Sequence, residues 1–122
     1  MSTLVPYLTF ADGNASLAFL TGVLGFEIVT EQRDDDGGVV HAELTRGDAV
    51  IMGGDGDAER GTAPGLYLAV DDVPARYEAA IAAGATVGYP PEQTEWGTWR
   101  ARFVDPDGHE WSVGTYQPGQ SW

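Results

Sequence analysis

The stretch Val5-Pro6-Tyr7-Leu8-Thr9-Phe10-Ala11-Asp12 returns in altered form as Gly65-Leu66-Tyr67-Leu68-Ala69-Val70-Asp71-Asp72. Tyr7 falls on Tyr67, Leu8 on Leu68 and Asp12 on Asp72, and further on Ala15 falls on Ala75. Gly25-Phe26-Glu27-Ile28 then falls near Gly84-Ala85-Thr86-Val87, one residue out of step. Identities are few, but the order of elements agrees, and a sequence that repeats itself builds one supersecondary unit twice.

Each half opens on an apolar strand, Leu4 to Phe10 and Leu66 to Val70, rich in branched and aromatic residues. A helix follows. The first has Asn14 as a candidate N-cap, Leu17, Leu20, Val23 and Leu24 at helical spacing, and Gly25 to close it. The second has Asp72 as N-cap, Pro74 in its first turn, Tyr77, Ala80 and Ile81 on one face, and Gly84 at its end. Three strands follow in each half: Phe26 to Arg33, Val39 to Arg46 and Ala49 to Gly53, then Thr86 to Tyr89, Trp99 to Val104 and Glu110 to Tyr116. Asp34-Asp35-Asp36-Gly37-Gly38 and Arg46-Gly47-Asp48 carry turn chemistry. The expected fold is α+β, two βαβββ modules over residues 1–53 and 65–122 with a polar linker over 54–64, forming a single domain of residues 1–122. A helix must cover one face of each sheet. The other faces are left concave, to line a cleft.

Composition excludes several chemistries. The chain of 122 residues has no cysteine and no lysine, so disulfides, thiolate sites and lysine Schiff bases are out. A net charge of −13 repels nucleic acid and anionic membranes. No signal peptide or membrane-spanning apolar run is visible, so a cytoplasmic protein is expected. None of Ser2, Ser16, Ser112 and Ser121 sits in a nucleophile elbow, and Gly53-Gly54-Asp55-Gly56 lacks the lysine of a P-loop.

Asp105-Pro106-Asp107-Gly108-His109-Glu110 could be taken for a metal site. Its flanks are strands rather than the helices of a calcium loop, and His109 and Glu110 are adjacent on a strand, so they point to opposite faces. Pro, Gly and Asp at these places make a turn.

This last hairpin, with Leu24-Gly25-Phe26-Glu27, Asp71-Asp72-Val73, Ala83-Gly84-Ala85 and Trp96-Gly97, resembles the glyoxalase/bleomycin-resistance/extradiol-dioxygenase (vicinal oxygen chelate) superfamily. Trp96-Gly97 ahead of Asp105–Trp111 is similar to its bleomycin-resistance-like branch. The resemblance implies small-molecule binding and a homodimer. Enzymes of the family hold a divalent metal on the first and fourth strands of each module, and the resemblance places those positions at Val5, Met52, Gly65 and Ser112. None carries an imidazole or carboxylate, so no metal and no cofactor is expected.

Alternation along Val39 to Leu44 sets Val40, Ala42 and Leu44 toward the helix and His41 and Glu43 toward the cleft. The expected ligand-binding set is Tyr7, His41, Glu43, Met52, Tyr67, Arg102 and Tyr116, with Trp96 and Trp99 at the rim; Trp111 is expected in the core. Arg100 and Arg102 share a face and can pair with Glu43, with Glu110 or with an anionic ligand group. His41 and Glu43 are also the candidate catalytic residues. The expected function is a metal-free protein sequestering a planar, partly cationic antibiotic or metabolite. The alternatives are a divalent-metal lyase, isomerase or dioxygenase with displaced ligands, and a metal-free enzyme using His41 or Glu43 as general base.

Overall fold

A computed structural model of the chain describes residues 5–56 and 65–117. The chain divides into two compact units, Met1–Arg60 and Gly61–Trp122. The first contains β1 (Tyr7–Phe10), α1 (Gly13–Gly22), β2 (Glu27–Arg33), β3 (Val39–Arg46) and β4 (Ala49–Asp55). The second contains β5 (Leu66–Ala69), α2 (Val73–Ala82), β6 (Thr86–Gln93), β7 (Trp99–Val104) and β8 (Glu110–Gly114). The order βαβββ therefore occurs twice, as the repeat predicted. Each unit forms a four-stranded sheet, ordered β1-β4-β3-β2 and β5-β8-β7-β6. The first strand of each runs parallel to the fourth, and the remaining pairs are antiparallel.

The repeat reaches individual hydrogen bonds. Asp12 caps α1 by accepting from Ala15 N–H, and Asp72 caps α2 by accepting from Ala75 N–H. This corrects the expectation for Asn14. A cap must stand immediately before the first helical residue, which is Gly13. Asn14 instead lies inside the helix, where its side chain bonds Gly37 O and Arg33. The β2–β3 and β6–β7 turns are built alike, on Asp34 N–H to Gly38 O and Thr94 N–H to Thr98 O. Gly37 and Gly97 take the left-handed backbone that those turns require, at φ 82° and 88°.

The core follows from strand alternation and helix spacing. Leu8, Phe10, Ala42, Leu44 and Ile51 are buried on the first sheet, and Leu17, Leu20 and Leu24 are buried in and just after α1. In the second unit α2 lies against β6, β7 and β8. The buried set there is Leu68, Ala101, Phe103, Trp111 and Val113, which places Trp111 in the core as expected.

Three expectations are corrected. Val40 is exposed and Val39 is buried, because β3 carries an extra residue between the pairs Gln32↔His41 and Arg33↔Val39. A bulge of this kind resets alternation, so Val40 leaves the core row. Strand β4 continues to Asp55, beyond the predicted stop at Gly53. Strand β6 continues to Gln93 through Pro90-Pro91. It is an edge strand, where proline is tolerated because one side of the backbone has no ladder to complete. Of the predicted linker, Gly54 and Asp55 belong to β4, and residues 57–64 lie outside the described residues.

Candidate functional site

The face of the first sheet opposite its core is organised by register. Tyr7 pairs with Met52, Met52 with Glu43, and Glu43 with Thr30, so one row crosses all four strands. His41 stands two residues from Glu43 on the same face of β3. His41 Nε2 lies 2.9 Å from Glu43 Oε2, and Tyr7 OH lies 3.4 Å from His41 Nδ1. The Tyr7 and His41 rings stack at 5.9 Å. With the proton on Nε2, His41 donates to the carboxylate, and Nδ1 accepts from the phenol. The tyrosine, imidazole and carboxylate thus form one hydrogen-bonded chain. Tyr7 remains 55% exposed, so its aromatic face is open to a ligand.

Tyr7 can lie over the sheet because Gly54 is beneath it. A Cβ on Gly54 would stand 3.1 Å from the Tyr7 hydroxyl and 2.5 Å from Val40 O. The second unit repeats the device. A Cβ on Gly114 would stand 2.5 Å from the Tyr67 hydroxyl. Tyr67 OH donates to Tyr116 O at 2.8 Å, and burial pushes its phenol above the ordinary value of 10.0.

The corresponding row of the second sheet is Tyr67, Ser112, Arg102 and Tyr89. Its chemistry differs from that of the first. Arg102 Nε donates to Ser112 Oγ at 3.0 Å and lies 3.7 Å from Glu110 Oε1. Arg100 Nε donates to Glu92 Oε1 at 2.8 Å. Both guanidiniums lie over the Tyr89 ring, 5.6 Å and 5.2 Å from its centroid for Arg100 and Arg102. Glu43 is paired with His41.

The predicted residues therefore fall into two groups. Tyr7, His41, Glu43 and Met52 share one face of the first sheet. Tyr67 and Arg102 stand in one row of the second sheet on either side of Ser112, and Tyr67 bonds the backbone of Tyr116. Trp96 sits in the β6–β7 turn, 79% exposed. Trp99 alternates with Arg100 and so shares the side of β7 that carries Ala101 and Phe103. Strand alternation alone does not single out Tyr89, Gly54 and Gly114. The correspondence of Tyr7 and Gly54 with Tyr67 and Gly114 was the available signal.

Asp105–His109 is a turn, as expected, but a largely buried one, and Glu110 opens β8. Asp105 Oδ1 accepts from Asp107 N–H and His109 N–H, and Oδ2 accepts from Trp111 Nε1–H at 3.0 Å. Asp107 and His109 are buried and stand 3.5 Å apart. The carboxylate fastens the turn to the core indole.

The metal positions implied by the family do not fit a divalent ion. Val5 and Gly65 carry no donor atom, Met52 offers a thioether, and Ser112 offers a hydroxyl already bonded to Arg102. Among the described residues, no group of three or more His, Cys, Asp and Glu is placed to hold a metal ion.

Comparison with known proteins agrees with this architecture. The family model of the Glyoxalase/Bleomycin resistance protein/Dioxygenase superfamily matches residues 5–113. The chain belongs to this superfamily. It is 31% identical over 125 residues to the uncharacterized protein Rv0887c of Mycobacterium tuberculosis, covering 91% of this chain and 72% of the relative. Among solved structures it is similar to TioX from Micromonospora sp. ML1, with TM-score 0.76 and 24% identity over 96% of this chain and 100% of the other. It is also similar to the fosfomycin resistance protein FosX from Listeria monocytogenes, with TM-score 0.78 and 17% identity over 97% and 95%. At these identities the two structures establish the fold.

Proposed function

We propose that the chain is a small-molecule-binding protein that works without a resident metal. Its ligand is a planar, partly cationic antibiotic or metabolite. The observation that carries this reading is the chain of Tyr7, His41 and Glu43 beside Met52, on the open face of a sheet whose family metal positions lack suitable donors. Tyr7 supplies a flat apolar surface, Met52 an adaptable one, and Glu43 a carboxylate. The net charge of −13 adds an attractive field for cations. Membership of a superfamily that includes bleomycin resistance proteins supports a role in drug binding of that kind. A cytoplasmic homodimer is part of the proposal; no helix among the described residues is long and apolar enough to cross a membrane.

The test is calorimetric titration with cationic and neutral planar aromatic compounds. Saturable binding of the cations is expected, weakened about tenfold by Glu43→Gln, since a desolvated charge contact contributes on the order of 1–2 kcal/mol. If the cations do not bind, or bind Glu43→Gln equally well, the reading fails. Stoichiometric zinc, manganese or iron in the purified protein, found by elemental analysis, would replace it with the metalloenzyme alternative. The same hydrogen-bonded chain favours a second reading, a metal-free enzyme in which Glu43 orients His41 as general base.

A further inference from the structure

The second sheet carries a feature that the cationic-ligand reading does not use. Only six residues of the chain are basic, against nineteen acidic. Two of those six, Arg100 and Arg102, stand on one face of β7, with both guanidiniums over Tyr89.

Stability does not account for this placement. The Arg100–Glu92 and Arg102–Glu110 pairs have side chains roughly half exposed, from 42% to 51%. Exposed pairs of this kind contribute about 0–1 kcal/mol. Two like charges over one ring repel each other, which offsets part of that gain.

The positioning of Arg102 is nevertheless tight. Between Val87↔Phe103 and Tyr89↔Arg102, β6 carries one extra residue, Gly88. A Cβ there would stand 2.7 Å from Arg102 Cγ, so the bulge glycine makes room for the arginine stem. Ser112 Oγ then holds Nε from the opposite neighbouring strand, and Tyr89 supports the guanidinium plane. The side-chain hydrogen bonds of Arg100 and Arg102 to described residues are donated by Nε, and Nε is also the atom nearest Glu92 and Glu110. The terminal N–H groups of both forks have no partner among the described residues. Two open forks, oriented through their Nε atoms, match the oxygens of one carboxylate or phosphate group.

We propose that this face of the second sheet is an anion subsite, in which Arg100 and Arg102 hold a carboxylate or phosphate group of a small organic ligand through their terminal N–H groups. Tyr89 and Ser112 are positioning residues, acting through the arginines. The inference shares with the proposed function only the premise that the sheet faces bind ligands.

The experiment follows the Arg Nε–Hε resonances of the full chain by NMR while titrating benzoate, phenyl phosphate, benzylammonium and benzyl alcohol. Benzoate and phenyl phosphate should shift the Arg100 and Arg102 signals saturably, and benzyl alcohol should not. The tighter of the two anions distinguishes a carboxylate ligand from a phosphate one. Arg102→Gln should weaken the anions about tenfold, and Arg102→Lys by less, because lysine keeps the charge and loses the fork. Arg100→Gln, at a more exposed position, serves as the second variant should Arg102→Gln fold poorly. Tyr89→Leu should weaken the anions without changing their salt dependence. Absence of saturable shifts with either anion, or full anion affinity in both arginine variants, overturns the subsite. Benzylammonium binding that still responds to Glu43→Gln would then leave the first-sheet reading standing. Anion binding without benzylammonium binding would reject that reading and keep this one.

Discussion

The two units share a backbone plan and differ in what their open faces carry. In both, an aspartate caps the helix, the second turn closes over a left-handed glycine, and the first-strand tyrosine lies over a fourth-strand glycine. On the first face the tyrosine meets an imidazole and a carboxylate. On the second its row holds a serine, an arginine and another tyrosine. Backbone devices persist in both copies because each satisfies buried polar groups or avoids a clash, which any βαβββ unit must do. Open-face side chains carry no such obligation, so ligand chemistry can diverge there.

The fastenings of the two units can be compared by mutation, and the largest contrast is in the β3–β4 and β7–β8 turns. Asp48 is exposed, whereas Asp105 is buried and accepts two backbone N–H groups and the Trp111 indole. Asp105→Ala leaves buried donors without partners and should destabilise by about 3 kcal/mol or more. That corresponds to a fall in Tm of roughly 10 °C by calorimetry. Asp48→Ala should stay within about 0.5 kcal/mol. Equal effects at the two sites would show that burial does not distinguish the turns.

A smaller contrast lies at the ends of β4 and β8. Asp55 accepts from Gly13 N–H at 2.7 Å and Val39 N–H at 2.8 Å, tying the start of α1 to β3. At the matching position Thr115 Oγ1 accepts a single bond among the described residues, from Trp99 N–H at 2.9 Å. By chemical denaturation, Asp55→Ala should cost about 2 kcal/mol and Thr115→Ala about 1 kcal/mol, since bonds to charged acceptors are the stronger. Asp55→Asn should recover part of the loss.

The smallest effect concerns Tyr67. Burial raises its folded pKa above 10.0, so the fold favours the neutral phenol. The resulting stabilisation is fully present below pH 10. It is lost as pH rises from the unfolded value through the folded one, because the unfolded chain releases its proton first. Phenolate absorbance should show one tyrosine ionising late, and Tyr67→Phe should remove that step. An unchanged titration would mean that the phenol is solvated rather than buried.

Much of the fold was legible in the sequence, and the failures have local causes. Asp12 and Asn14 both carry cap chemistry, and the helix boundary lies where a single residue decides between them. Asp55 read as linker because glycines on either side resemble a loop. Only the parallel pairing of β1 with β4 shows that Gly53 and Gly54 are places where Phe10 and Tyr7 approach the backbone. His41, Glu43, Tyr7 and Met52 were placed on one face correctly, because alternation from the strand centre survives the bulge at Val40. The partners of Arg100 and Arg102 were found only in part, with Glu110 foreseen and Glu92, Ser112 and Tyr89 not.

The sequence by itself determined the repeat, the βαβββ order and the turns, because apolar period and turn chemistry act over a few residues and are written in order along the chain. Tertiary structure decided which side chains meet. Tyr7 and His41 are 34 positions apart and bond only because β1, β4 and β3 lie side by side in a fixed register. Arg102 reaches Tyr89 only because Gly88 adds a residue to β6. Register is a property of strand pairs, and one inserted residue reassigns every neighbour beyond it.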